Sequence, residues 1–408
     1  MLSSPKAKSG LLLLLLTYAA YISLGLPDGL MGAAWPQMRS DLGVSLNANW
    51  PIYISGLMGG LLSGIFAGAI LCRISVGQLL LLTTVITSAS IAGCGLCPWY
   101  WPIVGIGFLL GLGNSAIDVG LNHFVATHFT SRHMNWLHAC WGVGVSTGTL
   151  IISGVANLGS SWRTACLLIA SLQGLLALTF LFSQKLWNSP PTLASPEGQT
   201  RIDNDTPAPT LQSLRQPISW ISLGCFFLYC GVEFSSGVWT TSLLQSGRGW
   251  HADRAALMVT LYWASLTVGR FMIGIISNRL RPIRILRLAI SGAIVGTLLI
   301  SLSSVVSHTL SSGLLTAAGL LLMGFSLAPI YPTMMHDTPA CVGRSHAVNL
   351  IGLQAAAANV GLTMVPGILG TFMKHSSLEY LGPCLVFMAC ALLFMVHLRE
   401  KHRLSPSA

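Results

Sequence analysis

Apolar runs about as long as a bilayer crossing recur along the whole chain, separated by short polar breaks. A spanning helix needs about 20 predominantly apolar residues. Twelve windows meet that length: 10–38, 50–72, 76–97, 101–127, 136–158, 163–184, 217–244, 252–276, 284–307, 311–335, 345–371 and 379–398. The N-terminal LLLLLLTYAA continues as an apolar segment to about residue 38 without a small-residue cleavage site, so it reads as the first spanning helix and not as a signal peptide. One long hydrophilic segment breaks the series. Residues 185–216, opening KLWNSPPTLASPEGQ, are rich in Pro, Thr, Ser and Asn and read as a cytoplasmic linker between residues 1–184 and 217–408. The pattern predicts an all-α membrane protein with 12 transmembrane helices in two pseudo-symmetric six-helix bundles.

The two halves echo each other. Gly32 follows Asp28 by four residues in GLPDGLMGAAW, and Gly237 follows Glu233 at the same spacing in GVEFSSGVW. Both pairs of positions are 205 residues apart, while Arg73 and Arg279, after the second and eighth windows, are 206 apart. A six-plus-six repeat of this kind is the architecture of many secondary transporters. Charge sets the orientation. With both termini cytoplasmic, 15 of the 21 Lys and Arg fall on the inside and 5 on the outside, as the positive-inside rule requires.

Composition agrees. The 408 residues are 53% hydrophobic and 8% charged, with a mean hydropathy of +0.70; soluble domains carry roughly 25% charged residues. A multi-pass plasma (inner) membrane protein is expected. The net charge of +10 belongs to the cytoplasmic face and calls for no nucleic-acid partner. The ten cysteines lie mostly inside apolar runs, and the one CxxC, Cys94 with Cys97, has no His or acid nearby in sequence, so no metal centre is expected.

Only 11 residues are acidic; eight fall in loops or at window ends, and three stand well inside a window: Asp28, Asp118 and Glu233. An ionised carboxylate facing lipid costs about 2.5 to 3.5 kcal/mol, so each should face the bundle interior or a wet cavity. No lysine shares the windows and Arg270 falls near the end of one, so the acids are expected to lack a fixed cation and to act as proton carriers. Asn114, Asp118 and Asn122 recur every four residues in GLGNSAIDVGLNHF, along one helix face. The next window opens NWLHACWGVG, placing His138 and Trp141 one turn apart.

Rings and amides recur as a sugar-like ligand requires. Trp35 stands two turns beyond Asp28 and Trp239 six residues beyond Glu233; Tyr262, Trp263, Gln354 and Asn359 follow in the second half. Polyols bind through apolar rings and a few convergent polar groups. Pro27, Pro329, Pro332 and Pro366 are expected to break or kink their helices and expose carbonyls to a cavity. No Walker A sequence, dinucleotide fingerprint, HExxH or nucleophile elbow occurs, so neither an enzyme nor a cofactor is expected. The expectation is a secondary transporter moving a small polar solute, a sugar or related polyol, in symport with a proton. Sodium is the alternative coupling ion, and proton-driven export of an amphipathic compound the alternative function. Its partners would be a small-molecule substrate and membrane lipid, with the monomer as the working unit.

The chain resembles the major facilitator superfamily over essentially its full length, and within it the fucose permease-like, sugar-transporter-like branch. LGLPDGLMGAAWPQM resembles the first-helix segment of that branch, whose transport-path aspartate falls on Asp28. GLGNSAIDVGLNHFV resembles its fourth-helix segment, with the cavity carboxylate on Asp118, an aspartate where the branch has glutamate. NWLHACWGVG resembles the start of the fifth helix, with the amide positions of the branch occupied by His138 and Trp141. YCGVEFSSGVW resembles the seventh-helix segment, its acid on Glu233. VGRFMIGIISNRL resembles the eighth-helix signature, carried by Gly269, Arg270, Gly274 and Arg279, and the matching loop after the second helix is degenerate around GAILCRISVG, keeping Arg73 but not the usual aspartate. The resemblance implies proton-coupled alternating access, with gating roles for Arg73, Arg270 and Arg279.

Overall fold

A computed structural model describes residues 5–45, 48–187, 208–303 and 309–403. Residues 188–207, most of the expected linker, lie outside the described residues; its last part carries a short helix, Thr210–Leu214. Among the described residues, 12 helices are long and apolar enough to cross a membrane. They are α1 (Pro5–Asp41), α2 (Asn49–Leu71), α3 (Val76–Leu96), α4 (Tyr100–His128), α5 (Ser131–Asn157), α6 (Trp162–Trp187), α7 (Pro217–Ser242), α8 (Ala252–Ile276), α9 (Pro282–Leu302), α10 (Thr309–Leu327), α11 (Arg344–Lys374) and α12 (Leu381–Lys401).

The sequence explains the helix ends. Ser75 and Gln78 form a capping box that starts α3, and Pro217 and Pro282 open α7 and α9, where a missing N–H costs nothing. Large apolar side chains such as Leu15, Phe66, Phe182 and Phe387 are exposed, the surface that a bilayer covers. The all-α architecture of 12 apolar helices in two bundles follows the apolar pattern.

The chain forms two compact units. Unit 1 comprises Met1–Thr130, Trp136–Ala208 and Arg344–Ala356; unit 2 comprises Ser131–Asn135, Pro209–Gly343 and Ala357–Ala408. In unit 1, α2 packs on α4 and α3 on both α4 and α6. An apolar cluster built from Leu30, Trp35, Met38, Ile103, Trp162 and Ile169 lies among α1, α4 and α6. In unit 2, α9 packs on α10 and α12, and α7 on α12.

The prolines behave differently from expectation. α1 runs unbroken through Pro27, and α11 through Pro366. Pro27 has no N–H for the Ser23 carbonyl one turn back, but Gln173 of α6 donates to that oxygen from Nε2 at 3.0 Å. Pro329 does stand at a break, between α10 and a short helix at Ile330–His336. The glycines around Asp28 serve contact, not irregularity. A methyl group at Gly25 or Gly29 would strike the α5 backbone at Trp141 and Val145, and one at Gly144 or Gly148 would strike the α1 backbone at Ile22 and Leu26. Both helices carry Gly-xxx-Gly here, the spacing that lets two membrane helices meet backbone to backbone.

Candidate functional site

The closeness of α1 and α5 determines what unit 1 can assemble around its two acids. Asp118 of α4 is half-buried, and its Oδ1 accepts two hydrogen bonds: from the Tyr21 hydroxyl of α1 and from Asn122 Nδ2 at 3.0 Å. Asn122 is fully buried, and its own Oδ1 lies 3.1 Å from His138 Nε2 of α5. The Tyr21 ring stands edge-on to the His138 ring, with centroids 5.2 Å apart. Four polar side chains from three helices thus form one connected network. Asn114, one turn before Asp118, is half-buried and its Oδ1 is enclosed with no protein hydrogen-bond partner.

Asp28 stands two turns along α1 from Tyr21 and is exposed. Its Oδ2 accepts a hydrogen bond from the half-buried Trp141 indole at 3.0 Å. Among the described residues, no Arg or Lys forms an ion pair with Asp28 or Asp118. Trp35 departs from the expectation that it shares an open face with Asp28. It is buried in the apolar cluster of unit 1, together with Trp162, Ala165 and Cys166 of α6.

Unit 2 corrects the expectation of three acids without cations. Glu233 of α7 and Arg270 of α8 are both buried and pair at 3.1 Å, Nη2 to Oε1. Arg270 is not at a helix end: it lies nine residues before the end of the span Leu257–Arg279. The buried Tyr262 hydroxyl donates to the Glu233 main-chain oxygen at 2.9 Å, which ties α8 to α7 beside the pair. Trp263 is half-buried with its ring against Gly237, and Trp239, also half-buried, donates its indole N–H to the Pro366 carbonyl at 2.9 Å. Gln354, in unit 1, is fully buried, and Asn359, in unit 2, is half-buried. Arg73 and Arg279 are exposed at the ends of their spans.

Sequence reasoning passed over Tyr21 and Gln173. Tyr21 had a signal: a phenol inside an apolar run must find a partner for its hydroxyl. Its position seven residues before Asp28 put it on the same face of α1.

Comparison with known proteins places these features in a family. The model of the Major Facilitator Superfamily matches residues 17–366. The glucose/mannose transporter GlcP of Bacillus subtilis is 23% identical over 291 residues, covering 69% of this chain and 67% of that protein. A gallate transporter of Pseudomonas putida is 25% identical over 410 aligned residues, covering 88% of each. Among solved structures, a Major Facilitator Superfamily transporter, FucP, in the outward conformation superposes with a TM-score of 0.75 at 14% identity, covering 96% of this chain and 99% of that one. A variant of the E. coli fucose:proton symporter FucP gives 0.70 at the same identity and coverage. At that identity the likeness is one of fold.

Proposed function

The chain belongs to the Major Facilitator Superfamily, and from that premise we propose that it carries a small polar solute, a sugar or related polyol, by symport with protons. The observation that carries this reading is the contrast between the units. Asp28 and Asp118 in unit 1 are held by neutral donors alone, whereas Glu233 in unit 2 is neutralised by Arg270. A carboxylate held by neutral donors can gain or lose a proton without stranding a buried cation. One locked in an ion pair cannot.

The two acids then divide the work. Asp118, wrapped by side chains of its own unit, carries the proton. Asp28, exposed and with only Oδ2 engaged by Trp141, takes a substrate hydroxyl on Oδ1 while the indole offers a ring edge and face. Trp35 and Tyr262, both sealed in packed surroundings, have no place in the substrate set. Proton and solute bind from one side, the bundles rock, and both leave on the other. Both termini cytoplasmic, gating by the exposed Arg73 and Arg279, action as a monomer and division at residues 185–216 belong to the same proposal.

The names of the relatives support sugar and proton, since one is a glucose/mannose transporter and another a fucose:proton symporter. The gallate transporter, matched over more of the chain, favours a second reading: a hydroxylated aromatic acid that uses the same hydroxyl acceptors. Uptake into proteoliposomes with an imposed inward proton gradient separates the two. Saturable accumulation of labelled glucose, mannose or fucose, collapsed by a protonophore, is the expected result. Accumulation of gallate with no response to hexoses replaces the sugar with the acid, and hexose uptake indifferent to the gradient removes proton coupling.

A further inference from the structure

Asn122 determines how the network around Asp118 must be wired. Its Nδ2 faces the Asp118 carboxylate, which only accepts, so its Oδ1 faces His138 Nε2. That amide orientation is the one that avoids two acceptors meeting, and it requires a hydrogen on Nε2 of His138. His138 therefore fixes Asn122, and Asn122 fixes Asp118. Tyr21 reaches the same carboxylate oxygen directly. Both donors converge on Oδ1, and Oδ2 has no hydrogen-bond partner among the described residues.

We propose that Tyr21 and His138 are positioning residues of the proton site, Tyr21 directly and His138 through Asn122, that pin Oδ1 of Asp118 and leave Oδ2 as the oxygen that takes and releases the proton. The inference rests on the reading of Asp118 as the proton-carrying group. The step balances simply. A proton from water bonds to Oδ2, no donor in the network has to turn over, and the same proton returns to water on the other side. Of the other helices packed on α4, α2 presents Gly56, Gly59 and Gly60 and α3 presents Leu79, Thr83 and Thr87; Tyr53 of α2 faces Asp28, and further along α4 stand His123 and His128, the latter beside Arg344 of α11. From α1 come Tyr21 and, two turns further, Asp28; from α5 comes His138.

Infrared difference titration of the carboxyl C=O stretch in the full-length protein in liposomes tests this without a known substrate, with Asp118→Asn assigning the band. Donors to a carboxylate favour its ionised form, so losing one raises its proton affinity. Tyr21→Phe is expected to move the protonation midpoint of the band to more alkaline pH by about one unit, a tenfold change in proton affinity. His138→Leu should move it the same way by less, because Asn122 is freed but not lost. His138→Gln, which keeps an N–H for Asn122, should restore the wild-type midpoint. A merely structural role would lower yield or thermal stability and leave the midpoint in place. If Tyr21→Phe and His138→Leu leave the midpoint unmoved while Asp118→Asn removes the band, the positioning roles are overturned. Should His138→Leu fail to fold, the Tyr21→Phe titration decides alone. If Asp118→Asn removes no titrating band, the parent reading is overturned, and this inference with it.

Discussion

The ion pair of Glu233 and Arg270 allows a prediction in which the two ends of one contact behave differently. At 3.1 Å, and at the effective dielectric of about 20 that suits protein sites, the attraction is about 5 kcal/mol. Most of it offsets the desolvation of two buried ions, so the pair contributes little net stability, yet removing one member costs about 3–5 kcal/mol. Glu233→Gln leaves Arg270 buried, and a guanidinium cannot shed its proton. Its penalty should be the full one, equal at pH 7 and pH 5.5. Arg270→Met leaves a glutamate that can neutralise itself. Protonating an ordinary glutamate costs about 3.7 kcal/mol at pH 7 and about 1.6 at pH 5.5, so the deficit of this variant should shrink in acid. For a unit of this size, roughly 2–4 °C of melting temperature accompany each kcal/mol, which puts Glu233→Gln on the order of 10 °C below wild type. The assay is thermal unfolding of purified protein in one detergent at both pH values, with the double variant Glu233→Gln/Arg270→Met completing the cycle and expected to lie closer to wild type than Glu233→Gln. A Glu233→Gln protein as stable as wild type, or an Arg270→Met deficit that does not change with pH, would refute the reasoning.

Three further outcomes follow from the packing. Gln173→Leu strands the Ser23 carbonyl and should cost about 1–3 kcal/mol, and adding Pro27→Ala, which restores the missing main-chain N–H, should recover part of it in the same melting assay. Gly29→Val drives a side chain into the Val145 carbonyl, so the folded fraction by size-exclusion chromatography should fall sharply, while Gly154→Val, which meets nothing within 4 Å, should leave it near wild type. Asp337 pairs with the buried Arg399 at 3.4 Å and with Arg403 at 2.9 Å, so Asp337→Asn should destabilise by about 3–5 kcal/mol, measured as a lowered melting temperature.

The number and limits of the spans were legible because lipid imposes a length on every apolar run, and the twelve helices keep close to those runs. The acids were legible because a carboxylate in an apolar run is costly wherever it faces. Their partners were not. Arg270 lies 37 residues from Glu233 on another helix, and which residues of α7 and α8 share a level depends on the turn between them. Trp35 shows the limit of helical phase: Asp28 lies nearly on its azimuth, but the apolar cluster of unit 1 buries one level and not the other. The glycines beside Asp28 stand around Pro27, which reads as a breaker in the sequence. The contact they serve depends on Gly144 and Gly148, more than 100 residues away.

Comparing two modes of transport in Asp118→Asn shows whether unit 1 couples solute to protons through this residue. Counterflow exchanges labelled for unlabelled substrate and needs no net proton release; accumulation driven by a proton gradient does. The expected result is counterflow retained and gradient-driven accumulation lost, with Asp28→Asn impaired in both. Accumulation at the wild-type level in Asp118→Asn would contradict the account.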